Sequence, residues 1–267
     1  SHGSCSTVYY MNKTTRYKDR ETLAYAEYGA PHGYPLRIQH GLIASIRDSQ
    51  LFDSLIRAGL RVICMARPGY GQSWPYSMRD MAEWGDIVAV LVEELGLDQF
   101  DVLGMSSGAP YSYAIGNRLP DKTQNIFIFS GTPALYDERV LSHWPYPANK
   151  EANLGELEEL AEDLFFAGLS DEDLLRADIV DSRMNHCFGI AQDLKLRCMD
   201  WGFTLPELQT PVYMQHGELD ESVPLVTAQI TAGLLANCRL EVRQQGGHFS
   251  AEELDEFIRS TMLPRYA

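Results

Sequence analysis

Phe100-Asp101-Val102-Leu103-Gly104-Met105-Ser106-Ser107-Gly108 is the stretch on which the reading of this chain turns. Phe100–Leu103 is apolar and strand-like, and Ser106–Arg118, with Tyr111, Tyr113, Ala114 and Ile115, has the spacing of a helix. A serine at so sharp a strand-to-helix turn holds its hydroxyl above the sheet edge. Glycines two residues before and after it let the two backbones approach closely. Ser106 is therefore a candidate nucleophile. Ser107 is its neighbour and rival, but only Ser106 has glycine at both −2 and +2. A short run rich in Gly and Ser also fits an ordinary helix entry, so the rest of the chain has to decide.

Outward from this turn, short apolar runs alternate with helical patterns. Strands are expected at Val8–Met11, Leu23–Tyr28, Leu36–Gln39, Arg61–Met65, Phe100–Leu103, Asn125–Phe129, Val212–Gln215 and Leu240–Arg243. Helices are expected at Gln50–Ala58, Met78–Leu95, Ser106–Arg118, Val223–Leu235 and Ala251–Met262. Met81, Trp84, Ile87, Val88, Leu91, Val92 and Leu95 form one helical stripe, which Gly96 should end in a left-handed turn. Strand–helix alternation with central runs apolar on both faces predicts a mostly parallel α/β sheet covered by helices. An antiparallel hairpin is expected at the N-terminal edge.

The alternation stops between residues 133 and 206. That stretch has helical periodicity at Leu154–Phe166 and Asp171–Ile179 and no convincing strand. It reads as a helical lid inserted between core segments 4–132 and 207–267; a small second domain unrelated to the site is the alternative. It holds 15 acidic and 6 basic residues, −9 of the chain's net −15. Most of these charges fit a solvated helix face; any that face the cleft would disfavour anionic substrates.

The 267 residues suffice for one large domain. The net charge argues against a nucleic-acid partner and against anionic membranes. No apolar stretch is long enough for membrane insertion, and the N-terminus lacks signal-peptide order. Ser1-His2-Gly3 reads as a tag remnant, which leaves open whether a targeting segment once preceded Ser4. Five widely spaced cysteines, Cys5, Cys64, Cys187, Cys198 and Cys238, fit neither a disulfide framework nor a metal cluster. No metal and no cofactor are expected, and a reducing, cytoplasmic setting is. A small-molecule substrate is the expected partner, and a homodimer is left open.

A serine hydroxyl is a poor nucleophile until a base takes its proton, and the base needs an orienting carboxylate. After such an elbow the acid and then the histidine should follow, each just beyond a strand. Val212–Gln215 is followed by His216-Gly217-Glu218-Leu219-Asp220-Glu221-Ser222-Val223-Pro224, and Leu240–Arg243 by Gln245-Gly246-Gly247-His248. Five local patterns thus stand in order: His40-Gly41, Arg67-Pro68-Gly69-Tyr70-Gly71-Gln72-Ser73, the Ser106 turn, residues 216–224, and Gly247-His248. On these the chain resembles, over nearly all of residues 20–262, the α/β-hydrolase fold superfamily, in particular its lid-bearing serine esterases, lipases and C–C hydrolases. The resemblance implies an eight-stranded, mostly parallel sheet with an inserted helical cap and a Ser-His-Asp triad.

Carried over to matching positions, Ser106 is the nucleophile, His248 the general base and Asp220 its orienting acid. Glu218 and Glu221 miss the family spacing. The alternative acid position, after Phe129-Ser130-Gly131-Thr132, has no carboxylate until Asp137. Among the other histidines, His32 fits an exposed turn, His40 and His216 fit structural roles, and His143 and His186 fit a surface. For the oxyanion hole, the backbone N–H of Ser107 is one expected donor, and Leu42, with Ile43 second, the other. The loop Gly41–Ser45 lacks both the H-G-G-G run of one esterase group and the extra glycine usual in C–C hydrolases. Trp144, Tyr136, Phe165, Phe166, Phe188 and Trp201 are candidates to line a pocket, or to form lid core.

Serine at the elbow, in place of aspartate, points away from dehalogenases and epoxide hydrolases. Ser107, where proline iminopeptidases carry Trp, points away from peptide release. The expectation is a serine hydrolase acting on a small carboxylic ester or related acyl compound. C–C bond hydrolysis or a cofactor-free perhydrolase activity on the same triad is the alternative enzyme reading. A ligand-binding or receptor protein of the same fold is the alternative of another class.

Overall fold

The computed structural model describes residues 11–19 and 21–267. Eight strands form one sheet: β1 (Met11–Tyr17), β2 (Glu21–Gly29), β3 (Pro35–Gln39), β4 (Arg61–Met65), β5 (Phe100–Met105), β6 (Thr123–Phe129), β7 (Val212–Gly217) and β8 (Cys238–Arg243). Their order across the sheet is β1-β2-β4-β3-β5-β6-β7-β8. β2 runs antiparallel to both β1 and β4; every pairing from β4 to β8 is parallel. The edge hairpin lies where expected, but its first strand is Met11–Tyr17 and not Val8–Met11; Val8, Tyr9 and Tyr10 fall outside the described residues. Three consecutive residues, Lys13, Thr14 and Thr15, blur the apolar alternation there, and pairing with β2 from Met11↔Glu27 to Tyr17↔Glu21 sets the strand instead.

The helices are α1 (Asp53–Arg57), α2 (Met81–Glu94), α3 (Ala109–Arg118), α4 (Glu138–Leu141), α5 (Leu154–Ala161), α6 (Ala177–Leu196), α7 (Leu225–Leu234) and α8 (Ala251–Phe257). α2 starts with its apolar stripe at Met81, three residues after the expected Met78, because Asp80 caps it by accepting from Glu83 N at 3.1 Å. It stops at Gly96, whose φ is +63°. Side chains alternate across the central strands and feed two apolar layers. Val102, Ile126 and Val212 pack with Trp84, Ile87 and Leu91 of α2 and with Tyr111 and Ile115 of α3. Leu103, Met105, Phe127 and Phe129 pack with Leu55 and Ile56 of α1 and Leu254 and Phe257 of α8.

Between β6 and β7 the described residues hold α4, α5 and α6 and no strand, in keeping with the helical reading of residues 133–206. α6 is broken: Asn185, His186 and Cys187 have φ of +55°, +56° and +62°. Non-glycine residues pay roughly 1–2 kcal/mol each for that conformation. Among the described residues no helix is long and apolar enough to cross a membrane.

One residue contradicts its surroundings. Arg37, in the middle of β3, pairs in register with Ile63 and Val102. It is fully buried, and none of its guanidinium nitrogens has a hydrogen-bond partner among the described residues. Burial pushes its pKa down to about 10. An unsatisfied buried cation costs more than an apolar chain of similar length. Arg37→Met should therefore raise the unfolding free energy by about 1–3 kcal/mol in urea titration; a fall would mean that the guanidinium is satisfied in solution.

Candidate active site

The site grows out of the carboxyl ends of the parallel strands, where open α/β sheets present their crevices. At the end of β5, Ser106 adopts φ +49° in the left-handed region. Its carbonyl is pinned by Thr132 N at 2.9 Å. The flanking glycines are sterically required. A Cβ at Gly104 would lie 2.1 Å from Ser112 Oγ, and one at Gly108 would lie 2.1 Å from Gln39 O. α3 therefore closes on β5 at Gly104, and the start of α3 closes on the end of β3 at Gly108, at distances no side chain allows, and the turn lifts the Ser106 hydroxyl out of the sheet.

Ser106 Oγ lies 2.9 Å from His248 Nε2, and His248 Nδ1 lies 2.8 Å from Asp220 Oδ2. A carboxylate only accepts, so Nδ1 carries the proton and Nε2 is free to accept from the serine. Asp220 Oδ1 accepts from Ser222 N at 2.9 Å and Val223 N at 2.8 Å. Burial alone would raise the Asp220 pKa, but the bonds from His248, Val223 and Ser222 outweigh it and hold the carboxyl below its ordinary range. The loops carrying Asp220 and His248 are clipped together by Leu219 N to Gly246 O at 2.9 Å. Glu218 and Glu221 are exposed. His216 also reaches Asp220: its Nε2 donates to Val223 O at 2.9 Å and lies 3.2 Å from Asp220 Oδ2. Burial lowers the His216 pKa, so it stays neutral beside the carboxylate.

The loop after β3 faces the serine; a Cβ on Gly41 would lie 3.9 Å from Ser106 Cβ. What holds this loop is a buried network that sequence reading missed. Arg67 Nη1 donates to His40 O at 2.6 Å and Nη2 to Gly41 O at 3.1 Å. Arg67 also pairs with Asp193 of α6 at 2.9 Å, with both side chains buried. The single Tyr70 hydroxyl proton is shared between Asp193 Oδ2 at 2.6 Å and Leu42 O at 2.8 Å, and Tyr111 donates to Asp193 Oδ1. Burial works against the Arg67 charge, but Asp193, Tyr70 and Tyr111 more than offset it and raise the pKa. His40 Nε2 accepts from Arg67 N at 3.1 Å, so its proton sits on Nδ1, 2.8 Å from Gly41 O. Burial, and then the neighbouring Arg67 charge, push the His40 pKa well below 6.5. The break in α6 fits the same turn: Asn185 Nδ2 donates to Gly69 O at 3.0 Å.

Ser106, His248, Leu42 and Ser107 all line one cavity of about 1300 Å³. Residues at the strand ends line it together with Trp144, Tyr146, Leu160, Leu164, Phe165 and Arg197 from the segment between β6 and β7. Of the aromatic residues expected there, Trp144 and Phe165 line it. Phe166, Tyr136, Phe188 and Trp201 do not: Trp201 is fully buried against Tyr113, Tyr136 and Phe203, and Phe188 lies against Gly69. His32, His143 and His186 are exposed. Among the described residues no three His, Cys, Asp or Glu side chains gather as metal ligands would.

Residues 32–259 match the family model described as alpha/beta hydrolase family. The chain is 26% identical over 208 residues to a pimeloyl-[acyl-carrier protein] methyl ester esterase of Aromatoleum aromaticum, covering 72% of this chain and 81% of that one. It is 27% identical over 231 residues to a 2-hydroxy-6-oxononadienedioate/2-hydroxy-6-oxononatrienedioate hydrolase of Pseudomonas putida, covering 79% of each. Its match to an uncharacterized hydrolase of Bacillus subtilis, YcgS, spans only 45% of that protein. In structure it is similar to an esterase from Exiguobacterium antarcticum, with a TM-score of 0.75, 21% identity and coverage of 96% and 99%.

Two outcomes follow from the buried network. Asp193→Asn leaves the Arg67 charge uncompensated and should cost about 3–5 kcal/mol in denaturant unfolding; a loss below about 1 kcal/mol would mean the pair is not structural. Unfolded His40 binds a proton below about pH 6.5 while folded His40 does not. Stability should accordingly fall as pH drops from 7 towards 5. The slope should be shallower in His40→Gln, whose amide oxygen can still accept from Arg67 N; equal slopes would discount His40 as the source.

Proposed function

The chain belongs to the alpha/beta hydrolase family, and on that premise we propose that it hydrolyses small carboxylic esters through Ser106, His248 and Asp220. The observation that carries this reading is the unbroken relay Ser106–His248–Asp220, at 2.9 and 2.8 Å, on the wall of the large cavity. His248 Nε2 takes the proton as Ser106 Oγ attacks the ester carbonyl. Asp220, ionised and already holding Nδ1–H, stabilises the imidazolium that forms. The backbone N–H groups of Ser107 and Leu42 receive the oxyanion. His248 then protonates the departing alcohol, and water activated by the same nitrogen releases the acid and restores Ser106.

Residues 133–206 act in this proposal as a lid over core segments 4–132 and 207–267, since they supply part of the cavity's lining. A cavity of about 1300 Å³ exceeds the roughly 300–1,000 Å³ of common small-molecule pockets, so acyl groups longer than acetyl fit the reading. C–C bond hydrolysis is the second reading, favoured by the relative named for a dienedioate hydrolase. Assay of meta-cleavage diketones beside simple esters separates the two.

Ser106→Ala should lower p-nitrophenyl acetate turnover by roughly a thousandfold or more while leaving the fold intact. A fluorophosphonate probe should label the wild-type protein and not the variant. Turnover retained in Ser106→Ala removes this serine from the mechanism. No labelling and no turnover across a broad ester panel would favour a ligand-binding protein.

A further inference from the structure

Arg197 lies directly after α6 and lines the same cavity as Ser106. Its setting differs from that of the other arginines in the insertion. Arg139, Arg176 and Arg183 each pair with a carboxylate, Asp137, Asp178 and Glu162 respectively. Among the described residues Arg197 makes no such pair, although its segment carries nine excess negative charges. The nearest candidate, Asp193, is committed to Arg67, Tyr70 and Tyr111. Arg197 Nε is sealed from the surface and has no hydrogen-bond partner among the described residues. The Cys198 thiol beside it is only a weak acceptor.

A second orphan sits next to it. Trp144 Nε1 is also sealed and without a partner, and the Arg197 guanidinium lies 5.3 Å from the Trp144 ring centre. Both groups donate and neither accepts, so neither can satisfy the other. Both residues face the cavity. Of the 15 acids in the insertion only Asp178 lines it, and Asp178 is held by Arg176. The acidity of this segment therefore lies largely outside the cleft, while the Arg197 and Trp144 side chains line it and their Nε and Nε1 atoms are sealed within its wall.

We propose that Arg197 and Trp144 form a carboxylate-binding subsite, so that the preferred substrates are esters whose far end carries a free carboxylate, such as half-esters of dicarboxylic acids. The proposal rests on the ester-hydrolase reading for its reaction and on the two orphan donors for its charge. A planar carboxylate can accept from a guanidinium and from a neighbouring N–H at once, which a single neutral carbonyl does less well. The charge matters because the guanidinium is largely buried and, among the described residues, pairs with no carboxylate.

The test compares monomethyl adipate, its neutral monoamide counterpart methyl adipamate, and methyl hexanoate, which place the ester carbonyl at similar distances from the chain end. Wild-type kcat/KM should be highest for monomethyl adipate. Its ratio to methyl hexanoate should fall roughly tenfold or more in Arg197→Gln, mostly through KM. It should recover in part in Arg197→Lys and fall less in Trp144→Phe. A binding arm needs no turnover: adipate should raise the melting temperature of Ser106→Ala, and the rise should vanish in the Ser106→Ala/Arg197→Gln double variant. Equal preference for the acid and the amide, or a ratio unchanged in Arg197→Gln, overturns the carboxylate subsite while leaving ester hydrolysis standing. Absent turnover with an Arg197-dependent adipate shift overturns ester hydrolysis and leaves the subsite standing. No adipate shift overturns the subsite.

Discussion

The buried ion pair between Arg67 and Asp193 is the contact on which the arrangement of the site depends. Arg67 follows β4, and Asp193 belongs to a helix 126 residues further along the chain. Between them they bind the carbonyls of His40 and Gly41 and, through Tyr70, that of Leu42. One salt bridge thus ties the loop facing Ser106 to the helical segment that helps line the cavity. Two ions with side-chain exposures of 1% and 2% are expensive to desolvate. The cost is met here because the tyrosines and backbone carbonyls satisfy the remaining donors and lone pairs. If the pair is lost, the loop and the helical segment lose their common anchor.

The same economy of charge runs through the helical insertion. It is strongly acidic, yet its carboxylates divide into two populations. Most stay at the surface or pair locally, as Asp137 does with Arg139 and Glu162 with Arg183. Asp193 turns inward because it meets a cation and two phenols there. Arg197, four residues later, also lines the cavity but pairs with no carboxylate among the described residues. An unmatched buried donor is tolerable where a ligand supplies the acceptor, and that is the physical content of the proposed subsite.

Much of the core was legible from local patterns. The β5–α3 turn was readable because a left-handed serine between two close backbones needs glycines at fixed offsets, and Gly104 and Gly108 stand there. Asp220 and His248 were readable as neighbours because each stands just beyond a strand at the sheet's carboxyl edge. β1 was misplaced because Lys13, Thr14 and Thr15 carry no clean alternation, and its register comes from pairing with β2. The aromatic residues of the insertion could not be sorted by sequence: Trp144 and Trp201 look alike in isolation, yet one lines the cavity and the other is buried in the core. The break in α6 left no glycine or proline at 184–187 to announce it.

The sequence by itself determined the order of strands and helices and which polar residues stand at strand ends. Those features follow from backbone sterics and side-chain periodicity acting over a few residues. Only the tertiary structure decided which charges of the insertion face inward, which partner each one meets, and how large a cavity remains above Ser106. These depend on pairings such as Arg67 with Asp193 and Arg197 with Trp144. The energy of such pairings is set by burial and by mutual distance between segments far apart in the chain, which no local pattern encodes.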